Sequence, residues 1–466
     1  MKKTKIVATI GPATESKEVL EELIVAGVDV VRLNFSHGSY DQFSGLIHNI
    51  KEIRSRLNKR VAIYQDLAGP KIRIGDFETE TVELVPGEKI TLTIRETPGT
   101  KSKVFINYPK LPSEVKVGDT IFLDDGKLDL KVVETNDVSV TCEIVSGGII
   151  YGGRGVNLPN SELSIGCLTD KDRQDLEFGI QHDLDFVGLS FVRKPDDIEE
   201  LRSILNDYDS KSKIIAKIET PQAVKNLDRI VEVADALMVA RGDLAIEIPA
   251  EDVPIVQKRI IAKCKAQGKP VITATQMLES MIKSPVPTRA EVSDVANAIF
   301  DGTDAIMLSA ETAIGQYPLE AVRIMSKVAN KNEGAVVVQS HVSENQSTVT
   351  NSVTSSAIDT AEDLNAPLII ALTETGRTAR MVARHHPHAP IMAIAEDETV
   401  CNQLTLTYGC FAYKVSDYQS LEDALKLVRK LAFDNQLAKA GDRVVIVAGA
   451  PFHTAGSTNM IIVETM

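Results

Sequence analysis

Eight short apolar runs, each followed by an amphipathic segment, constrain the fold of this chain more than any other feature. Several runs are rich in Val, Ile and Ala, as expected of parallel strands covered on both faces. The runs are Lys5–Ile10, Val28–Leu33, Val61–Gln65, Phe186–Phe191, Ile214–Ile218, Ala236–Ala240, Val271–Ala274 and Ala305–Leu308. Helix boundary residues such as Ser16, Pro195 and Gly268 punctuate the segments between them. Eight strand–helix units predict an α/β fold, a (β/α)8 TIM barrel.

The alternation stops after the third strand. Between Gly69 and about Gly166, four strand-type runs are separated by turn dipeptides such as Pro-Gly and Asp-Gly: Lys89–Ile94, Thr120–Leu123, Leu128–Val133 and Ser139–Ile144. This pattern predicts an all-β insertion over residues 70–165, with residues 1–69 and 166–334 forming the barrel. Both connections, Gly69-Pro70 and 152–155, are rich in hinge-type residues. The insertion is interpreted as a lid, and a passive inserted domain is the alternative.

Residues 335–466 predict a smaller C-terminal domain. Helix and strand patterns alternate again, which favours an open, mostly parallel sheet. The predicted helices are Val353–Leu364 and Thr378–Arg384, and the predicted strands are Leu368–Leu372, Ile391–Ile394, Ala412–Val415, Val444–Val447 and Ile461–Val463.

Composition excludes several classes of protein. The formal charge is −14, which opposes nonspecific attraction to nucleic acid or anionic membranes, so neither is expected as a partner. The five cysteines are scattered and form no C-x-x-C pair, so they are expected to be reduced thiols. No apolar run approaches the roughly 18 residues of a membrane span, and the first apolar segment is too short for a signal peptide. We expect a cytoplasmic protein.

Polar residues follow six of the eight runs, at the strand ends where barrel enzymes carry their chemistry. These residues are Arg32, Asn34, Ser36 and His37 at strand two, Asp66 at strand three, Lys217 and Glu219 at strand five, Gly242 and Asp243 at strand six, Thr275 at strand seven, and Ser309 and Glu311 at strand eight. For Asn34, Ser36, Thr275 and Ser309, a turn or cap is the alternative role. For Lys217 and Glu219, the alternative is a structural ion pair.

The residue types at these strand ends favour metal-assisted phosphoryl chemistry. Lys217 and Glu219 are two residues apart and share one face of their strand. Glu219 and Asp243 are suited to Mg²⁺, and Lys217 and Arg32 to a phosphoryl group. The amides of Gly242 and Asp243 suit a substrate carboxylate, to which Thr275 can donate a hydrogen bond.

Six motifs in order resemble the pyruvate kinase family over essentially the whole chain. They are 4–12 (TKIVATIGP), 32–38 (RLNFSHG), 215–219 (IAKIE), 240–244 (ARGDL), 274–281 (ATQMLESM) and 307–312 (MLSAET). The resemblance implies phosphoryl transfer from phosphoenolpyruvate to ADP, giving pyruvate and ATP. It also implies a barrel domain, a β-barrel lid, a C-terminal regulatory domain and a homotetramer.

The resemblance also assigns roles to particular residues. Glu219 and Asp243 would bind Mg²⁺, Lys217 would stabilise the transferring phosphoryl group, and Arg32 would contact phosphate. Gly242, Asp243 and Thr275 would hold the substrate, and Thr275 with Ser309 and a water would protonate the enolate. The implied nucleotide contacts are Asn34, Phe35, Ser36, His37, Arg73 and Arg154.

Two departures from the family pattern stand out. Arg154 occupies a position where many members carry Lys. The second departure is at the monovalent-cation site, which in K⁺-requiring members includes the equivalents of Asn34, Ser36 and Asp66 and a Thr. Here Leu67 has no side-chain oxygen, and Lys71 stands where an acid is usual. Our hypothesis is that the Lys71 ammonium replaces K⁺. The alternative is that Lys71 is solvated and that Asn34, Ser36 and backbone carbonyls still hold K⁺.

A loop of the C-terminal domain resembles the family's effector site for phosphorylated sugars or nucleotides. It comprises Thr373, Glu374, Thr375, Gly376, Arg377 and Thr378, and the loop 449–459 is expected to face it. The negative charge of Glu374 disfavours a sugar bisphosphate, which leaves a monophosphate such as AMP or a pentose phosphate, or no effector. The cluster 385–388 (HHPH) is predicted to be a surface turn, because its proline interrupts helical spacing.

Two other functions remain open from the residues alone. One is a Mg²⁺-dependent carbon–carbon lyase acting on pyruvate or phosphoenolpyruvate, in which Glu219 and Asp243 would hold the metal. A lyase needs no nucleotide, so the Arg73 and Arg154 hinges argue against it. The other is a catalytically silent metabolite sensor that binds a phosphosugar at the C-terminal loop.

Overall fold

The protein is described by a computed structural model covering residues 1–161, 163–338, 348–416, 420–451 and 458–466. It begins with three parallel strands and two helices. They are β1 (Lys5–Ile10), α1 (Lys17–Ala26), β2 (Val30–Asn34), α2 (Tyr40–Arg56) and β3 (Ala62–Asp66). Ser16 caps α1 by accepting a hydrogen bond from the Val19 amide, as its sequence position predicts.

An all-β insertion follows β3, as the turn-rich segment predicts. Its elements are β4 (Thr81–Leu84), β5 (Lys89–Thr93), β6 (Lys103–Phe105), α3 (Leu111–Glu114), β7 (Thr120–Leu123), β8 (Leu128–Asn136), β9 (Ser139–Ser146), β10 (Gly148–Tyr151) and β11 (Val156–Asn157). The strands form a six-stranded sheet, ordered β11-β7-β8-β9-β5-β6, and the ribbon β10-β4, rather than one continuous barrel. Both pack around a separate apolar core, so the insertion has a hydrophobic interior of its own.

The chain then completes the barrel. The elements are α4 (Asp170–Gln181), β12 (Phe186–Leu189), α5 (Pro195–Asp207), β13 (Lys213–Ile218), α6 (Pro221–Lys225), α7 (Leu227–Val233), β14 (Ala236–Ala240), α8 (Arg241–Glu247), α9 (Val253–Gln267), β15 (Val271–Ala274), α10 (Arg289–Asp301), β16 (Ala305–Leu308), α11 (Ala310–Ala313) and α12 (Pro318–Asn332). The order β1-β16-β15-β14-β13-β12-β3-β2 closes with parallel pairing, for example Lys5 opposite Ala305. The predicted (β/α)8 barrel is therefore confirmed.

The C-terminal domain is an open sheet flanked by helices, as predicted. Its elements are α13 (Val349–Asp363), β17 (Ile369–Leu372), α14 (Arg377–Ala383), β18 (Ile391–Ala395), α15 (Glu398–Gln403), β19 (Cys410–Lys414), α16 (Leu421–Asp434), β20 (Arg443–Ala448) and β21 (Met460–Thr465). The order is β19-β18-β17-β20-β21, and β21 alone in this sheet runs antiparallel to its neighbour.

This domain packs on the end of the barrel where the strands begin. Leu406, just beyond α15, joins the apolar cluster inside the barrel with residues such as Val7, Phe186 and Met238. Polar contacts surround Leu406. The Lys5 ammonium donates to the Cys410 carbonyl at 2.6 Å, and the Tyr408 amide donates to Asp304 at 3.0 Å. The opposite end of the barrel, where the strands finish, is thus the end open to substrate.

The histidine cluster 385–388 corrects a prediction. His385 and His386 are buried at the domain junction, and only His388 is exposed. The His386 ring stacks on Tyr408 with centroids 3.8 Å apart. The cluster follows the end of α14 at Ala383 and forms a turn as expected, but the packing of one domain on the other covers it. Across the described ranges, no helix is long and apolar enough to span a membrane.

Candidate active site

Lys217 lies at the centre of the barrel mouth, near the end of β13. Its ammonium is 2.9 Å from Glu219 Oε1 and 3.4 Å from Asp66 Oδ1, and it donates to the Ser190 hydroxyl at 2.7 Å. Burial disfavours the charged lysine, but Asp66, Glu219 and Asp243 outweigh this, and the pKa of Lys217 lies above its ordinary value. The mouth therefore holds a fixed positive charge.

Arg32 and Asp66 form the adjoining ion pair. Arg32 Nε donates to Asp66 Oδ2 at 2.7 Å, and a second guanidinium nitrogen donates to the Thr9 hydroxyl at 2.9 Å. Burial opposes ionisation of Asp66, but Lys217 and Arg32 hold its pKa below the ordinary value. Asp66 thus contacts both cations and offsets one of their two positive charges, and Glu219 offsets charge on Lys217 as well.

Glu219 and Asp243 are the two carboxylates predicted to bind a metal. Glu219 Oε2 accepts the Phe191 amide at 2.7 Å. Burial raises the pKa of Glu219; Lys217 opposes the shift and the charge of Asp243 adds to it. Two carboxylates that repel each other across an open mouth are a suitable donor set for Mg²⁺, which takes one or two protein carboxylates and completes its shell with substrate and water. In the part of the chain described, no group of three or more His, Cys, Asp or Glu forms a metal cluster.

Thr275 links β15 to the start of α8. Its hydroxyl accepts a hydrogen bond from the Gly242 amide at 2.8 Å and donates to the Ala274 carbonyl at 2.6 Å. Its φ of +64° is rare for a β-branched residue. Strained backbone of this kind is characteristic of functional sites, because the surrounding structure must hold it in place. Thr275 thus lies beside the turn at Gly242 and Asp243, and its hydrogen bond to a substrate carboxylate stays a prediction.

Ser309 and Glu311 follow β16 at the same mouth. The Glu311 carboxylate accepts the amides of Ser309 and Leu278, at 2.8 Å and 3.1 Å, so it supports loop structure. The Ser309 hydroxyl is buried and has no hydrogen-bond partner within the described residues. Ser309 is therefore free to bond a substrate or a water.

A cleft of about 520 Å³ separates the insertion from the barrel mouth. Lys71, Arg73, Arg154 and Asp243 line it. Arg73 donates to the Gly153 carbonyl at 2.6 Å, and the Lys71 ammonium donates to the Ser36 hydroxyl at 2.9 Å. The two connections between the insertion and the barrel therefore bring three cations, Lys71, Arg73 and Arg154, to the lining of the cleft.

The segment 34–37 is joined to Lys71, a residue of the cleft lining, through Ser36. Asn34 Oδ1 accepts the Ser36 amide at 3.2 Å, and His37 is exposed. The Phe35 ring is instead buried and stacks on Phe43 with centroids 4.2 Å apart. The side chain of Phe35 is thus a core contact, and the implied nucleotide contact is corrected to exclude its ring.

Two residues of the site were not predicted from the polar residues that follow the apolar runs. Ser190, whose hydroxyl accepts a hydrogen bond from Lys217, was missed because it lies inside an apolar run that predicted a strand up to Phe191. The strand ends at Leu189, since Phe191 has a φ of +54°. Thr9, which bonds Arg32, lies inside β1 rather than after it. Alternation along β1 would have predicted that Thr9 faces the barrel interior, because Val7 lies in the interior cluster.

The effector-type loop lies at the start of α14, far from this mouth. Gly376 has a φ of +78°, and the Thr378 and Thr458 hydroxyls are 3.0 Å apart. The last part of the facing loop, at Thr458, therefore approaches 373–378 as expected, but residues 452–457 lie outside the described chain.

Sequence comparison decides the family. Residues 1–322 match the family described as pyruvate kinase, barrel domain, and residues 351–464 match pyruvate kinase, alpha/beta domain. The chain belongs to the pyruvate kinase family. Phosphoryl transfer between phosphoenolpyruvate and ADP is the reaction that defines pyruvate kinase, so this chain is a phosphotransferase rather than a lyase or a silent sensor.

Named relatives are similar along the whole chain. The pyruvate kinase of Geobacillus stearothermophilus is 44% identical and the alignment covers 100% of this chain and 80% of that protein. Pyruvate kinase 2 of Synechocystis sp. is 46% identical, with coverage of 100% and 79%, and the pyruvate kinase of Clostridium acetobutylicum is 43% identical, with coverage of 100% of both. A crystal structure of a pyruvate kinase from Cryptosporidium parvum superposes with a TM-score of 0.95 at 37% identity, covering 100% of this chain and 96% of the other.

Proposed function

We propose that the barrel mouth transfers the phosphoryl group of phosphoenolpyruvate to ADP with Mg²⁺ held by Glu219 and Asp243. The observation that carries this proposal is the Lys217 ammonium, buried between Asp66 and Glu219 with its charge maintained. A cation fixed in a mostly dry site stabilises a transferring phosphoryl group without reorganisation during the reaction. When bound, Mg²⁺ would neutralise phosphate charge and orient the substrate.

The remaining substrate contacts follow from the positions of the mouth residues. Arg32, held by Asp66 and Thr9, supplies a second cation for the phosphate. The Gly242 amide donates to Thr275 in the present arrangement, so it binds a substrate carboxylate once the Thr275 hydroxyl turns toward the substrate. Asp243, in the first turn of α8, then serves both the metal and the substrate.

The enolate left after transfer is protonated at carbon. Ser309, whose buried hydroxyl has no partner, and Thr275, whose hydroxyl is already in a hydrogen-bonded chain, form the proposed relay with a water. A hydroxyl is a weak acid, so a chain of donors is more effective than one threonine alone.

The cleft beneath the insertion is the proposed nucleotide site. Asn34, Ser36, His37, Arg73 and Arg154 would contact ADP, and the cations on the cleft wall suit its phosphates. Arg154 lies 3.4 Å from Asp124 and 5.2 Å from the Tyr151 ring centroid, so nucleotide binding would draw it away from a weak exposed ion pair.

We further propose that Lys71 replaces the monovalent cation, which would make this enzyme potassium-independent. The bond between Lys71 and Ser36 supports this role, because it brings an ammonium to a side chain expected to bind K⁺. Asp66, another expected K⁺ ligand, is already engaged by Arg32 and Lys217. A fixed ammonium therefore supplies the positive charge that other members recruit from solution.

We also propose features of the whole protein. They comprise the division into 1–69, 70–165, 166–334 and 335–466, a homotetramer, a cytoplasmic location, and a phosphorylated effector at Thr373–Thr378. The sheets and separate cores of the three parts support the division.

Metal titration tests the Mg²⁺ assignment. Glu219→Gln and Asp243→Asn should each raise the Mg²⁺ concentration for half-maximal activity about tenfold or more, because each removes one anionic ligand. Binding of Mn²⁺, followed by electron paramagnetic resonance, should weaken in parallel. Glu251→Gln, a change of an exposed carboxylate, is the matched control. Unchanged Mn²⁺ affinity in both site variants would refute the assignment.

Charge reversal tests the role of Lys71. Lys71→Glu should lose most activity in tetramethylammonium buffer and regain part of it when K⁺ is added, since the new carboxylate can hold the ion. Lys101→Glu, on the exposed surface of the insertion, should behave like the unmodified protein. Full activity of Lys71→Glu without K⁺ would disprove the replacement.

A further inference from the structure

A second cationic cavity lies at the end of the barrel opposite the mouth. It sits where β15 and β16 begin, against α14 of the C-terminal domain. Its charged lining is Lys265, Lys269, Arg380, Arg384 and Asp304. At the end of α9, a Cβ on Gly268 would lie 2.6 Å from Met381 Sδ, so the two domains are in close contact beside the cavity. Four cations against one carboxylate leave the junction with excess positive charge.

Three of these cations have no ion pair within the described residues. Lys265 is 6% exposed and has no hydrogen bond in the described part of the chain. Lys269 donates to the carbonyls of Glu232 and Ala234, each at 2.7 Å, and Arg380 to the Thr375 carbonyl at 3.3 Å. Carbonyl oxygens satisfy donors but do not neutralise charge. Burial accordingly lowers the pKa of Lys265.

The one carboxylate is engaged elsewhere. Asp304 accepts the Tyr408 amide at 3.0 Å and the Val271 amide at 3.1 Å, one on each oxygen. Burial raises its pKa to about 6, with these bonds opposing. Asp304 therefore offsets the charge of Lys265 only in part, and Asp235, outside the cavity lining, does the same for Lys269 and Arg380.

A hydroxyl of the same cavity is also unsatisfied. Thr407 is 1% exposed and lines the cavity, and its Oγ1 has no hydrogen-bond partner in the described residues. A water can satisfy a buried hydroxyl, but only an anion can offset the charge of a buried ammonium. Lys265 and Thr407 line the same small cavity, and the ammonium of the one and the hydroxyl of the other both lack a partner among the described residues. A ligand that is negatively charged and accepts hydrogen bonds would satisfy both.

We propose that this junction cavity binds a phosphate group, held by Lys265 and Arg380 and by the Thr407 hydroxyl. A guanidinium, an ammonium and a hydroxyl are the donors that phosphate oxygens accept most strongly. The cavity has a volume of about 10 Å³, which is room for one oxygen atom, so the rest of the phosphate group would stand outside it. Free phosphate and a phosphomonoester share this chemistry.

A bound phosphate would join the two domains. Lys265 belongs to α9 of the barrel, whereas Arg380 belongs to α14, which begins at the effector-type loop. A ligand that binds the folded protein but not the unfolded chain stabilises the fold increasingly as its concentration rises above its Kd. The site is distinct from the mouth, so it does not depend on the roles proposed for Lys217, Glu219 and Asp243.

Calorimetry with inorganic phosphate tests the proposal on the full chain, in a Lys217→Met background that weakens phosphate binding at the mouth. Lys265→Met should reduce phosphate affinity at least about tenfold, because it removes a charge-assisted bond. Thr407→Val, which keeps the shape of the side chain, should reduce it about fivefold. Matched controls are Lys263→Met on the same helix and Thr405→Val, whose hydroxyl already donates to the Asn402 carbonyl at 2.7 Å.

Thermal unfolding provides a second readout. Without phosphate, Lys265→Met should melt at a higher temperature than its parent, since an unpaired buried charge is gone. With phosphate, the parent should gain several degrees and Lys265→Met should not. Competition by ribose 5-phosphate would identify a phosphomonoester as ligand, and its absence would identify the free ion. Phosphate affinity of Lys265→Met equal to that of Lys263→Met would overturn the proposal.

Discussion

At the residue scale, the mouth is organised by charge compensation. Lys217 and Arg32 share Asp66, and Lys217 also contacts Glu219. Each buried charge depends on a neighbour, so single neutralising substitutions leave an uncompensated partner. This interdependence keeps a lysine charged in a buried site, where burial alone would lower its pKa.

Thr275 offers a test of strain stored at the mouth. Its φ of +64° is accessible to Gly but disfavoured for a residue with a Cβ. Thr275→Gly should therefore be more stable than Thr275→Ala by about 1 kcal/mol, the reverse of the usual order. Both should lose catalytic rate with the hydroxyl, whereas Thr275→Ser should retain most of it. Urea unfolding and steady-state kinetics measure the two effects. An alanine variant as stable as the glycine variant would show that no strain is stored.

The sequence predicted the charged residues of the mouth better than the residues that hydrogen-bond to them and hold them in place. Lys217, Glu219 and Asp243 could be predicted because a charge at the end of an apolar run is conspicuous. Ser190 and Thr9 could not, since a hydroxyl in an apolar run is compatible with many roles. The burial of Phe35 beside Phe43 and of His386 beside Tyr408 depends on elements distant in the chain. Tertiary packing of this kind leaves no local signal.

At the scale of elements, the insertion contacts helix α8, which carries Asp243. Asn157 Nδ2, in β11, donates to Glu247 Oε1, at the end of α8, at 2.7 Å. A Cβ on Gly126 would lie 3.6 Å from the Ile246 side chain on the same helix. Because Gly242 and Asp243 lie in the first turn of α8, we expect any displacement of the insertion to be transmitted to these two residues.

Exchanging the hydrogen-bond donor and acceptor between positions 157 and 247 tests the link between the insertion and α8. Asn157→Asp places two carboxylates together and should raise the KM for phosphoenolpyruvate and ADP about tenfold, by disfavouring the docked insertion. Glu247→Gln alone keeps an acceptor and should remain near the parent value. The double variant restores a donor–acceptor pair with roles exchanged, and its KM should return to within about threefold. A double variant no better than Asn157→Asp would refute the link.

The elements themselves were largely predictable. All eight barrel strands occur at their predicted places, with ends displaced by two residues or fewer. In the insertion, β4, β6, β10 and β11 were missed, because they are short and lack a continuous apolar run. Strand periodicity needs several residues to be visible, and pairing with distant strands decides the rest.

At the scale of the whole molecule, buried charges cluster where the C-terminal domain meets the barrel. Asp185 is 2% exposed; its Oδ2 accepts the Ile63 amide at 2.8 Å, and its carbonyl accepts from Gln403 at 3.3 Å. Burial raises the pKa of Asp185 to about 6, although Arg54 opposes the shift. The barrel base is therefore sensitive to pH in a range where most carboxylates do not titrate.

The direction in which pH changes the stability follows from the difference between the pKa of Asp185 in the folded protein and in the unfolded chain. The folded pKa of Asp185 exceeds the unfolded value of about 3.9, so its contribution is fully present below about pH 4 and is lost as pH rises through 6. Between about pH 5 and pH 8, the parent should lose about 1 kcal/mol of stability that Asp185→Asn does not lose. Urea unfolding at both pH values measures this difference.

An exposed neighbour supplies the control for Asp185. Asp183→Asn, two residues earlier on the surface, should follow the parent at both pH values. A stability difference between the parent and Asp185→Asn that is the same at both pH values would contradict the assignment.

The most direct test of the account is pyruvate formation from phosphoenolpyruvate and ADP with Mg²⁺, in tetramethylammonium buffer with and without K⁺. The account predicts strong activity without K⁺ and little change when it is added, because the Lys71 ammonium already supplies the charge beside Ser36. Activity only with K⁺ would contradict the role of Lys71. No pyruvate in either buffer would contradict the assignment of phosphoryl transfer to this barrel mouth.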